Sequence, residues 1–214
     1  MAQPKVAVRV AGTWFATASF LMVAVFLFHG PIAHDLNAQM LRVSDGALRW
    51  TVIHWIAAAA FSFYALTGLV VLVSGSRLTE DWSTMTAWGM LVVSAIWTTT
   101  TAVVEATVVA NAAVVGDIET FEPWWAFAEG MATGFAFFAL AVVVIAANEA
   151  RISARATPVW SARVAMVAGV ASFAGWALGM WFGVRLGSLL WVVSSIVMSL
   201  WTLWFGVALR RSQA

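Results

Sequence analysis

The chain has 214 residues, of which 63% are hydrophobic and only 10% charged, and its net charge is +1. A soluble domain of this size is roughly half apolar and about a quarter charged, so the surplus apolar surface must face something other than water. The small charge and the lack of a basic cluster argue against a nucleic-acid partner. The absence of cysteine removes disulfides, thiolate metal sites and cysteine nucleophiles. Lys5 is the single lysine, which excludes a retinal Schiff base within an apolar bundle.

Six apolar stretches approach or exceed the ~20 residues needed to cross a ~30 Å hydrocarbon layer. The expected fold is all-α: one polytopic membrane domain over residues 1–214, with no separate soluble domain. The first span, 10–29, follows Lys5 and Arg9 and reads as a retained helix, because no small-x-small cleavage site closes the run near Gly30. It ends on His29, and a polar loop follows. The second span, 51–74, opens Trp50-Thr51-Val52-Ile53-His54 and continues through alanines at 57–60. The third, 84–112, carries threonines at 98–101 and then Glu105; the fourth, 124–147, carries Glu129. The fifth, 163–183, is rich in small residues (Ala168, Gly169, Ala171, Ala174, Gly175, Gly179) that allow close helix contact. The sixth is 187–209. Pro4, Pro31, Pro123 and Pro158 all fall outside these limits, where helix breaking costs nothing. Valines at 142–144 run on without the period-two alternation of a barrel strand.

Basic residues set the expected orientation. With the N-terminus inside, the cytoplasmic segments hold Lys5, Arg9, Arg77, Arg151, Arg155, Arg163, Arg210 and Arg211, against Arg42, Arg49 and Arg185 outside. Eight against three predicts N-in and C-in, in a multi-pass protein of the cell membrane.

Few residues in the spans can carry chemistry. His54, Glu105 and Glu129 are the ionisable ones, with His29 at the end of span one. A charged side chain at mid-bilayer costs roughly 2.5–3.5 kcal/mol even on lenient scales, so such residues face protein or water and often mark function. A rise of ~1.5 Å per residue puts His54 about 6 Å and Glu129 about 8 Å below the outer boundary, with Glu105 and His29 at a similar level. Four helices thus bring one ionisable residue each to the outer third of the bilayer. Trp97, Thr101 and Glu105 recur at helical spacing, as do Trp125, Glu129 and Thr133, and Trp50, His54 and Ala58. Such stripes suit an apolar pocket with a few convergent polar groups. Glu105 and Glu129 are the expected catalytic carboxylates, with His54 and His29 the expected cofactor or metal ligands. His34 and Asp35 read as solvated loop residues. Trp50, Trp82, Trp124 and Trp125 fit an interfacial belt, whereas Trp97, Trp176, Trp201 and Trp204 fall deeper.

The hairpin that runs from Phe28-His29-Gly30 to Trp50-x3-His54 resembles the first hairpin of styrene oxide isomerase, a small membrane enzyme. The resemblance implies that His54 ligates the iron of haem b. That family has four spans rather than six, and alanines at 57–60 stand here where it places an asparagine after the ligand histidine.

Three functions compete at this level. The first is a membrane enzyme or redox protein (an isomerase or oxidoreductase) with haem b or a transition metal on His54 and His29, acting on a lipophilic small molecule. Glu105 and Glu129 would then orient ligands or move protons. The second is a small-solute or proton-coupled transporter, and the third a non-catalytic subunit or lipid-binding partner. The lipid bilayer is the expected environment, and a homo-oligomer is compatible with each reading.

Overall fold

The computed structural model describes residues 4–30, 32, 33 and 35–211. Nine α-helices are described: α1 Pro4–Phe28, α2 Leu36–Asp45, α3 Ala47–Val73, α4 Trp82–Val104, α5 Ala110–Val115, α6 Ile118–Ala132, α7 Gly134–Arg151, α8 Val159–Trp176 and α9 Arg185–Arg211. Two π-helical segments, Glu105–Val109 and Ala177–Trp181, join α4 to α5 and extend α8. Merged in this way, the helices give six elements long and apolar enough to cross a membrane: Lys5–Phe28, Ala47–Val73, Trp82–Val115, Ile118–Arg151, Val159–Trp181 and Arg185–Arg211. All six expected spans are present.

Each span packs on its neighbours in the chain, and α9 returns to pack on α1, so the six form a closed ring in sequence order. Aromatic side chains fill its centre. Phe15 lies 5.3 Å from Tyr64 and 5.7 Å from Trp88, ring centre to ring centre, and Tyr64 lies 4.7 Å from Phe138. The α1–α9 seam closes because both sides are small: a side chain on Gly206 would begin 2.6 Å from the backbone nitrogen of Ala16. Gly169 and Gly175 act likewise, against Val143 and Trp191, as expected of the small residues of span five. The polar groups inside find local partners, as when Tyr64 donates to Ser19 at 3.0 Å and Ser19 to Thr202 at 2.8 Å.

Six crossings return the chain to the side on which it began. Among the described residues, one face therefore carries the start of α1 and the end of α9 with residues 74–81 and 152–158; the other, here the α2 face, carries His29, Gly30 and residues 35–46, 116–117 and 182–184.

The loop expected after span one contains a helix. Asp35 caps α2, its carboxylate accepting the Ala38 N–H at 2.8 Å. Leu36, Met40 and Val43 then turn one apolar face onto the ends of α3 and α6 and onto α5. His34 and Pro31 lie outside the described residues.

Two limits need correction. Pro123 lies inside α6 rather than before it. Its missing N–H frees a carbonyl only near the helix start, where water can replace the lost bond. Span four also runs on to Arg151, which brings Glu149 inside it; Glu149 is buried, and α7 carries it close to the termini face.

Candidate metal centre

His29 is the residue after α1. Its N–H still donates to the Val25 carbonyl at 2.8 Å, and Gly30, at φ 79°, then turns the chain away. The turn places the Gly30 carbonyl 3.0 Å from His29 Nδ1. On α3, His54 Nδ1 lies 2.7 Å from the Trp50 carbonyl one helical turn before it. A carbonyl can only accept, so Nδ1 carries the hydrogen in both imidazoles and Nε2 is the atom each ring offers to the site.

Glu105 comes from the third span, at the point where α4 gives way to the π-helical segment. Its carboxylate Oε2 meets His54 Nε2 at 2.6 Å, and both residues are buried. With Nδ1 already donating, this contact is an imidazolium–carboxylate pair or one proton held between two acceptors. Ligand atoms from His29, His54 and Glu105 all lie within 4.8 Å of one another, the one such cluster of three among the described residues.

Aromatic rings wall the cluster. Trp50 lies 4.5 Å from His54 and 5.1 Å from His29 between ring centres, and the two imidazoles are 5.0 Å apart. Trp125 backs Trp50 at 6.2 Å and stacks on Phe121. Above them, α2 contributes Val43 to the same apolar group, and the buried Gln39 accepts the Ala33 N–H at 2.7 Å. Such a wall keeps the polar atoms in a low-dielectric setting, where their mutual interactions strengthen.

Three of the four expected site residues come together, and Glu129 does not. The buried positions of α6 are Phe121, Trp125 and Ala128, a drift of three to four residues per turn that leaves Glu129 about 100° past Ala128 and exposed. The stripe expected on span three divides for the same geometric reason. Each step of four residues drifts about 40° on an ideal helix. Thr101 therefore donates to the Ala128 carbonyl at 3.2 Å and Trp97 to Met131 Sδ at 2.9 Å, both across to α6, while Glu105 has turned to α3. The threonine hydroxyls do not reach Glu105: Thr98 and Thr99 each donate back to the carbonyl four residues earlier at 2.8 Å. Trp50 and Trp125 are buried in the site wall, and Trp204 lies on an exposed face of α9.

What sequence reasoning missed is the support of the site: the Trp50 carbonyl, the Gly30 turn and helix α2. Asp35 followed by apolar residues at 36, 40 and 43 was the available signal for α2. Comparison with family models, with curated proteins and with solved structures gives no match.

Proposed function

We propose that this is a metal-dependent membrane enzyme, in which Nε2 of His29, Nε2 of His54 and the Glu105 carboxylate hold one divalent transition-metal ion near the outer face of the cell membrane. The observation that carries the reading is the convergence of three ligand atoms within 4.8 Å, with each imidazole fixed through Nδ1 on a backbone carbonyl. Resident metal ligands use the same support, the far ring nitrogen held by a carbonyl so that the near one keeps its lone pair aimed. Two imidazoles and one carboxylate suit zinc or ferrous iron and leave coordination positions for water and substrate. A bound ion would supply Lewis acidity or an activated water. The protein's own part is to exclude bulk water through Trp50, Trp125 and α2, and to release the His54–Glu105 proton when metal arrives.

A small ion suits the geometry better than haem b. His54 Nε2 abuts Glu105 at 2.6 Å, whereas an axial ligand to haem needs a flat slot along that same direction. Leu27 and Phe28, just before His29, are both 63% exposed and put apolar surface beside the cluster. This supports a lipophilic or amphiphilic substrate reached from the bilayer.

The test is metal analysis and an absorption spectrum of the protein purified in detergent, beside the variant His54→Ala. One equivalent of a transition metal, lost in His54→Ala at unchanged helix content, is the expected result. A Soret band lost in the same variant would replace the ion with haem. Protein that neither retains nor rebinds zinc, ferrous iron or manganese would overturn the metal reading and leave a carrier or a non-catalytic subunit.

A further inference from the structure

Next to the proposed centre, on the α2 face, lies a groove of about 640 Å³ lined by Ala38, Leu41, Arg42, Asp45, Gly46 and Arg49. It sits at the corner where α2 turns into α3 at Gly46. Arg42, Arg49 and Asp45 together give its lining a formal charge of +1. Arg49 is exposed. Its side chain lies back over the corner: Nη2 is 3.3 Å from the point where a side chain on Gly46 would begin and 3.9 Å from the same point on Gly30. Gly30 is the residue that turns the chain after His29. The arginine therefore stands close to the turn that carries His29. Leu41, in its lining, is 64% exposed and gives the groove an apolar edge.

We propose that this groove binds the phosphodiester headgroup of an anionic phospholipid, with Arg49 as its anchor. A guanidinium offers parallel N–H donors that match two phosphate oxygens, and it is less strongly hydrated than an ammonium. One net positive charge balances the single negative charge of a phosphodiester. A dianionic free phosphate meets the Asp45 carboxylate without full compensation. A zwitterionic lipid brings its own cation into the arginines' field. The apolar edge at Leu41 receives the glycerol and first methylenes, so the headgroup is held while the tails stay in the bilayer. The inference deepens the metal-centre reading, because it places an acidic amphiphile beside His29, but its test does not require metal.

The whole protein in neutral detergent is titrated with three probes: short-chain phosphatidylglycerol, phosphatidylcholine of the same chain length, and inorganic phosphate. Thermal unfolding is followed with and without a chelator. A ligand that binds only the folded state raises Tm with concentration. Phosphatidylglycerol should raise it by a few degrees, and the other two much less. Arg49→Gln should lose that response, and Arg49→Lys should keep part of it. Arg185→Gln, an arginine on the same face but outside the groove, should respond as the wild type does. Equal responses to phosphatidylglycerol and phosphatidylcholine would overturn the proposal. So would a full response to phosphate alone, or an undiminished response in Arg49→Gln. Failure of the metal reading looks different: no metal is retained, while the lipid response and its loss in Arg49→Gln persist in chelator.

Discussion

Glu105 and Glu149 are the two buried carboxylates among the described residues, and they stand toward opposite ends of the bundle in opposite company. Glu149 Oε1 accepts the backbone N–H groups of Ala156 and Thr157, the latter at 2.7 Å, and takes a weaker bond from the Thr157 hydroxyl at 3.4 Å. It thereby ties residues 152–158 to the end of α7, with the Arg77 charge nearby. Its hydrogen-bond partners are two amides and a hydroxyl, none of which titrates near neutral pH. Glu105 instead faces His54 Nε2, an atom that can take a proton or a metal, with a second imidazole alongside. Burial of a carboxylate does not by itself mark chemistry; the nature of its partner does. One acid closes a loop, and the other meets two imidazoles.

The contrast is most exposed to a double replacement. Glu149→Ala removes the shared acceptor and strands buried N–H groups, each worth about 1–3 kcal/mol when left unsatisfied. The expected loss is about 2–4 kcal/mol of stability, read as a lower unfolding midpoint in detergent and faster proteolysis within residues 152–158. Metal content per folded molecule should stay the same. Glu105→Gln should do the reverse: the fold is kept, because an amide still bonds to His54, while metal affinity falls at least tenfold, or about 1.4 kcal/mol. A Glu105→Gln protein that binds metal as tightly as the wild type would make Glu105 another structural acid. Glu129→Gln, on the exposed side of α6, should leave metal affinity within roughly twofold of the wild type; a measured loss comparable to that of Glu105→Gln would return Glu129 to the site.

The same contrast explains what could be read from the sequence. The six spans were legible because each is a run of about 20 apolar residues, a signal that needs no tertiary information. The shared depth of His29, His54 and Glu105 was legible too, from the rise of a helix. Azimuth was not. Stripes drawn at steps of four accumulate about 40° per step, enough to send Glu129 outward and to turn Glu105 from α6 to α3. Glu149 escaped notice because it follows a long apolar run by two residues, and only the fold shows that residues 152–158 bend back over it. Trp50 looked interfacial by position, and is buried because α2, a helix inside the expected loop, covers it.

The smallest effect separates a surface carboxylate from both buried ones. Asp117 is exposed and caps α6, its carboxylate accepting the Thr120 N–H at 3.1 Å. The Thr120 side-chain and backbone bonds hold its pKa below the usual aspartate value. A carboxyl whose folded pKa is depressed contributes stability that is fully present above the unfolded pKa, roughly pH 4. That contribution is lost as pH falls through the lower folded value. Asparagine at this position also caps a helix but does not titrate. Asp117→Asn should therefore be slightly less stable than the wild type at neutral pH, because it lacks the negative charge favoured at a helix start. The difference should shrink and close as the wild-type carboxylate is protonated below about pH 4. Unfolding midpoints of the two proteins from pH 7 down to pH 3 measure it. A gap that stays constant across that range would show that the charge of Asp117 adds nothing, and that its role is a hydrogen bond alone.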